Sequence, residues 1–338
     1  MTRKMVLTAA LAVWVGIRAG HAQNGVYDFS RLDPVSFSRA GLSGWQFLHL
    51  PPSARSAALA NIKCGMLDGD ASAVFTNPSR LTDIRNIGAS FTRIRYVADI
   101  GYMTASVAKN FGTWGVFGIS FAGLDAGEMV RTENLISGGR SGDLGTFTAG
   151  DILLGVNYAR RVTDRLSIGG NINYIEENLD DVKARNWDLD FGVSFQTGFH
   201  GLRFDLITRN FGPDVRFVGF TEQYQNPADV RMPLDFFMGI GMEVMGGGEA
   251  DKHTLTGYIE ASHPNDTPER LHAALEYRFL DFLSLRGGYK FFYDEAGLTL
   301  GCGLQYYISG IEGRIDYAFM DYGRLNSVHL FTLGLSIQ

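Results

Sequence analysis

The chain holds only two cysteines, Cys64 and Cys302, in 338 residues, too few for a disulfide framework. No basic block stands against its formal net charge of -6, which argues against nucleic acid as a partner. Beyond the N-terminus no apolar run reaches the roughly 20 residues that a membrane-spanning helix needs. Yet 45% of the residues are hydrophobic and the mean hydropathy is -0.02. Catalytic signatures are missing too: there is no G-x-S-x-G elbow, no H-E-x-x-H and no phosphate loop. HPND at 263–266 has the composition of a turn, and DGDAS at 68–72 lacks the spacing of a calcium loop. GCG at 301–303 reads as strand with small inward residues. These absences point away from an enzyme, and neither a cofactor nor a metal site is expected.

What is present begins with an export signal. Arg3 and Lys4 precede an apolar run from Met5 to Ile17, and the small residues of AGHA follow, ending at Ala22. That order is the mark of a cleaved secretory signal peptide over 1–22, with a mature chain starting near Gln23. The exported chain is then either soluble or a β-barrel.

After Ile84 a period of two returns again and again. In NWDLDFGVSFQ the residues Trp187, Leu189, Phe191, Val193 and Phe195 alternate with Asp188, Asp190, Gly192, Ser194 and Gln196. Such alternation is that of a strand with one dry and one wet face. RLHAALEYRF, GLTLGCGLQYY and IEGRIDYAF repeat it. The pattern predicts strands at about 86–95, 99–110, 114–123, 147–161, 165–177, 186–197, 202–211, 234–246, 253–262, 270–280, 283–293, 297–307, 311–320 and 327–338. That is about fourteen, an even number, most of them near the ~9–11 residues of a tilted membrane strand. Alternate connections are short, while the two long ones, about 123–147 and 212–233, fall in the opposite set, as in an outer-membrane barrel.

Parity carries the argument inward. A three-residue connection, Leu280 to Phe282, keeps both flanking apolar sets on one face and sets Glu276 opposite Arg286. The same wet face collects Glu260, Lys290, Arg314 and Asp316. A closed sheet of about fourteen strands is too wide for its own side chains to fill. The polar face must therefore line a hydrated lumen, with Asp188 and Asp190 as solvated wall residues, and Trp187 to Phe195 must face lipid. On this assignment Phe191→Arg is damaging, Gly192→Ser is mild, and Cys302 faces lipid. The expected fold class is all-β, a transmembrane antiparallel barrel of about 14 strands with a short, partly helical N-terminal plug.

The plug is read from residues 41–85, which break the strand rhythm with Ala runs and a polar turn. The division is 1–22 signal peptide, 23–85 N-terminal segment and hatch, and 86–338 barrel. A cap on the periplasmic side is the alternative place for this segment.

SARSAALAN, followed by DGDASAVFTNPSRL, resembles the N-terminal hatch of FadL-like barrels, with Asp70, Asn77 and Pro78 as the matching hatch motif. Ser79 stands where that motif usually has Ala, and Gln338 ends the chain where barrel proteins often end in an aromatic. More specifically, VADIGY, FTAGDILLGVNYARRVTDRLSIGGNINYIEENL, LDFGVSFQTGFHGLRFDLITRNFG, HPNDTPERLHAALEYRF, LSLRGGYKF and IDYAFMDYGRLNSVHLFTLGL resemble the PorV/PorQ family, from about Gly44 to the end. The resemblance implies an outer-membrane barrel that serves protein secretion and surface attachment, as in type IX secretion. Its partners would be outer-membrane lipid, exported proteins and secretion-machinery components. Phe217, Val218, Phe220 and Tyr224, on the second long connection, are then the candidate partner-binding loop. The alternative is a FadL-like channel for hydrophobic small molecules, which requires an apolar pocket among hatch and lumen residues. The charged, Gly- and Ser-rich lumen face favours the first reading.

Overall fold

The computed structural model describes residues 41, 43–66, 69–132, 145–216, 229–246 and 251–337. The expected signal peptide, the mature start near Gln23, Gln338 and the loop residues Phe217, Val218, Phe220 and Tyr224 lie outside the described residues. Fourteen antiparallel strands close into a barrel, each paired with its sequence neighbours and the last with the first. They are β1 (Ile87–Arg95), β2 (Gly101–Asn110), β3 (Val116–Val130), β4 (Thr146–Arg161), β5 (Leu166–Leu179), β6 (Val182–Gln196) and β7 (Arg203–Phe211). The second half is β8 (Asp235–Met245), β9 (His253–Pro264), β10 (Arg270–Phe279), β11 (Leu283–Phe291), β12 (Leu298–Ile308), β13 (Ile311–Asp321) and β14 (Ser327–Ile337).

The alternation resolves as the inverse of a soluble protein. Trp187 is 60% exposed and Phe191 54%, while Asp188 and Asp190 between them are 1% exposed. A surface on which the large apolar side chains stand outward in every strand suits hydrocarbon and not water. Closure also removes the free sheet edges, so the backbone groups of the wall are paired strand to strand apart from those at the bulges. The chain starts and leaves the wall at one end, where Ile87 pairs with Ile337. Every connection at that end is short, and the two long ones, 131–145 and 212–234, lie at the other, the end that faces outward in outer-membrane barrels.

Two strands outrun the sequence-based bounds by more than two residues. β3 continues to Val130, seven residues past the expected end, because a bulge between Asp125 and Glu128 lets pairing with β4 resume. Gly127, at φ 71°, makes that bulge, and its N–H donates to Asp125 Oδ1 at 2.9 Å. β6 starts at Val182, since Lys183 and Arg185 continue the alternation with charged side chains beyond the apolar band. At the β10–β11 turn, Leu280 and Asp281 both adopt positive φ, and Glu276 lies opposite Arg286.

Inside the wall sits the N-terminal segment, in short irregular pieces. A single helix α1 (Ala54–Ala58) and 3-10 turns at Gln46–His49, Ala71–Phe75 and Pro78–Asp83 make up its regular part. Ser53, Asp70 and Asn77 cap three of these pieces with their side chains. Ala60 and Asn61 adopt positive φ immediately after α1 and stop it after little more than one turn.

Candidate functional site

A segment with so little regular structure leaves many N–H and C=O groups to satisfy, and inside a barrel they must find partners in the wall. The polar strand faces supply them. Thr299 Oγ1 accepts from Ala60 N (3.0 Å) and donates to Ala58 O (2.9 Å), and Thr332 Oγ1 accepts from Ala54 N (2.8 Å). Glu260 Oε2 accepts from Lys63 N and Cys64 N, both at 2.7 Å, and Asp205 Oδ2 accepts from Gly65 N at 2.8 Å. Arg203 donates to Met66 O (2.9 Å), Asn171 to Val74 O (2.7 Å) and Arg209 to Phe75 O (2.5 Å). The lumen face is a template of side-chain donors and acceptors cut to one backbone. Burial pulls the Lys63 ammonium below its ordinary pKa, with Glu260 acting against that shift.

A belt of charge fastens the same segment. Arg55, on α1, pairs with Glu276 through Nε (3.2 Å) and Nη2 (2.9 Å). Glu276 also accepts from Arg286 Nε and from Tyr258 Oη, each at 2.8 Å. Arg286 reaches Asp316 at 2.5 Å, Asp316 pairs with Arg314 at 2.8 Å, and Arg314 pairs with Asp70 back on the plug. Three guanidiniums and three carboxylates alternate from plug to wall and back to plug. Arg55, Glu276, Arg286 and Asp316 are all buried. Buried charges persist only when paired in this way.

The structure thus brings Asp70, Glu276, Arg286, Arg314 and Asp316 into one network. Glu260 stands apart, holding the backbone at Lys63 and Cys64 and meeting His272 Nδ1 at 3.1 Å. Lys290 lies elsewhere again, beside the rings of Tyr293 and Tyr322. Asn77 and Pro78 pack on β5 and β6. Asn77 Oδ1 accepts from Ser79 N (3.1 Å) and Ser79 Oγ (2.7 Å), so the serine hydroxyl adds a bond that alanine cannot make.

Two expectations require correction. The charged face does look inward, but it is packed against the plug and not bathed in a hydrated lumen. Asp188 and Asp190 are likewise buried wall residues within an amide ladder, with Asn173 donating to both at 2.6 and 3.1 Å. Nor is the lumen side of Gly192 open. A Cβ there would lie 2.1 Å from Asn77 Oδ1, and one at Gly169 would lie 2.5 Å from the Pro78–Ser79 peptide. Those two glycines form the seat of the hatch motif, so Gly192→Ser must displace it.

Sequence reasoning missed Arg55, Asn171, Arg203, Asp205, Arg209 and Thr299. Arg55 alone carried a legible signal, as a single charge inside an alanine run. Two spaces within and beside the plug are about 20 and 30 Å³. A larger one, about 330 Å³, lies at the short-turn end among Asp70, Asp83, Arg85, Arg278, Glu312 and Arg314. Among the described residues no His, Cys, Asp and Glu group is arranged to hold a metal.

No family model and no curated relative matches the chain. Solved structures do. The toluene transporter TbuX of Ralstonia pickettii superposes with a TM-score of 0.56 at 13% identity, over 88% of this chain and 100% of that one. The toluene transporter TodX of Pseudomonas putida gives 0.50 at 11%, over 83% and 96%. A FadL homologue of Pseudomonas aeruginosa gives 0.51 at 10%, over 84% and 98%. At such identities the likeness is one of fold. The chain has the fold of the FadL-like outer-membrane barrels, closed by fourteen strands around its own N-terminal segment.

Proposed function

We propose that this barrel admits small hydrophobic molecules to the outer membrane, with its plug as the gate. The observation that carries the reading is the shared architecture: 83–88% of the chain follows the fold of barrels described as toluene transporters. The interior adds a condition. A benzene-sized guest occupies a cavity of about 150 Å³, whereas the two spaces within and beside the seated plug are about 20 and 30 Å³, and the 330 Å³ one lies at the short-turn end among charged residues. Passage therefore needs the plug to shift, and the belt from Arg55 to Asp70 is what resists it. Uptake of radiolabelled toluene into cells making the barrel, against cells lacking it, tests the proposal. Faster uptake supports it, and equal uptake overturns it.

A second reading has its own support. The lumen wall around the plug is polar and charged, and the sequence segments quoted above resemble the PorV/PorQ family. On that reading the barrel is a closed scaffold or shuttle for exported proteins, gripping them with its outward connections, Phe217, Val218, Phe220 and Tyr224 among them. Shortening 217–228 should then leave a folded barrel that no longer co-purifies with secreted proteins, while toluene uptake stays at background.

A further inference from the structure

The outer wall carries a basic notch that the barrel itself does not neutralise. On β1 the outward positions run Ile87, Ala89, Phe91, Arg93, Arg95, so the apolar series ends in two arginines at the long-loop rim. Register sets Arg93 between Phe331 of β14 and Met103 of β2, with Phe91 below, all three of them exposed. Arg95 lies opposite His329, whose Nδ1 is 2.8 Å from Tyr317 Oη and whose ring stacks on that tyrosine. No carboxylate pairs with Arg93 among the described residues. Arg95 has only Asp99, at 3.9 Å, and both of those side chains are more than 80% exposed. A second basic pair on the outer wall differs. Lys183 and Arg185 both pair with Glu176, at 3.5 and 2.8 Å.

A guanidinium flanked by lipid-facing apolar side chains has to reach an anion at headgroup level. Its planar fork suits the oxygens of a phosphate, which it engages through two parallel N–H bonds. We infer that Arg93 and Arg95, with His329 and Tyr317 beside them, bind the phosphate group of a lipid in the outward leaflet, its acyl chains lying along Phe91, Phe331 and Leu333. The apolar wall directly beneath the two arginines selects a lipid over free phosphate.

Native mass spectrometry of the detergent-purified barrel with added lipid A tests this. The parent should hold lipid A and fail to hold its dephosphorylated form, and excess inorganic phosphate should not displace it. R93Q/R95Q should bind lipid A about tenfold more weakly, while K183Q/R185Q should match the parent. Equal binding by R93Q/R95Q, equal retention of dephosphorylated lipid by the parent, displacement by inorganic phosphate, or a like loss in K183Q/R185Q would each overturn the assignment. The dephosphorylated-lipid comparison uses the unaltered chain, so the test stands even if the double variant folds poorly.

Discussion

Arg55→Met removes the plug's positive charge from the belt while keeping most of the apolar stem. The magnitude follows from what stays behind. Breaking a buried pair that strands its partner costs about 3–5 kcal/mol. Glu276 is not stranded, since Arg286 Nε and Tyr258 Oη remain on it at 2.8 Å each. The loss is then that of a charge-assisted hydrogen bond, about 2 kcal/mol. It falls on the seating of the plug and not on the strand ladder, so barrel melting is the wrong assay. Cys64 supplies the right one. Its thiol is buried, and burial, then Glu260, pushes its pKa well up, which keeps it unreactive while the plug is seated. In a Cys302→Ser background, labelling of Cys64 by a water-soluble maleimide reports the open fraction when closing outruns labelling. Arg55→Met should label roughly thirtyfold faster. Arg324→Met, which removes an exposed pair with Glu295, should label at the parent rate. If Arg55→Met folds and labels no faster than the parent, the belt does not hold the plug.

Phe191→Arg and Gly192→Ser, adjacent in sequence, should fail in different ways. A charge on the lipid face near the midplane costs about 2–4 kcal/mol and should lower the temperature at which the barrel loses its compact gel mobility. The serine overpacks the seat of Asn77 at about 1–3 kcal/mol, and should raise Cys64 labelling while leaving that temperature nearly unchanged. Cys64 and Cys302 are both free, one buried in the plug and one exposed on the wall, so reduction should leave the mass of the intact chain unchanged. N-terminal sequencing of the protein recovered from outer membrane should begin near Gln23, and a retained Met1 would refute the signal-peptide reading.

The wall was legible because it obeys a rule with a period. Apolar side chains facing lipid and polar ones facing inward leave a record at every second residue, and the three-residue turn at Leu280 fixes the register that sets Glu276 against Arg286. The ends of β3 and β6 were not legible, since beyond its bulge β3 is part exposed on both faces and in β6 the outward positions turn charged at Lys183 and Arg185, so neither keeps an apolar-polar contrast. The plug is harder for a different reason. Its pieces are too short for periodicity, and its partners are distant in sequence, as with Arg55 and Glu276, 221 residues apart. Asn77 and Pro78 stood out as a motif, but nothing in their spacing says that Gly169 and Gly192 receive them.

Polarity alone cannot tell a lumen full of water from one full of backbone, because both ask the wall for donors and acceptors. What separates the two is where the wall is empty. Water tolerates a methyl group almost anywhere, whereas a packed segment forbids it at fixed places. Here the forbidden places include Gly192 under Asn77, Gly169 under Pro78, Gly288 against Ala60 and Gly301 against Ala58, each with 2.7 Å or less for an added Cβ. They sit on four separate strands and trace the path of the plug around the inside of the barrel. Glycine weakens a strand, so their cost is offset only while the plug is seated. Loss of the plug would leave thinned strands facing water and uncancelled charges at Glu260 and Asp205. That asymmetry favours a small local shift over ejection whenever the lumen opens, and it predicts that movement starts at Asp70 and Arg314, where the belt borders the 330 Å³ cavity at the short-turn end.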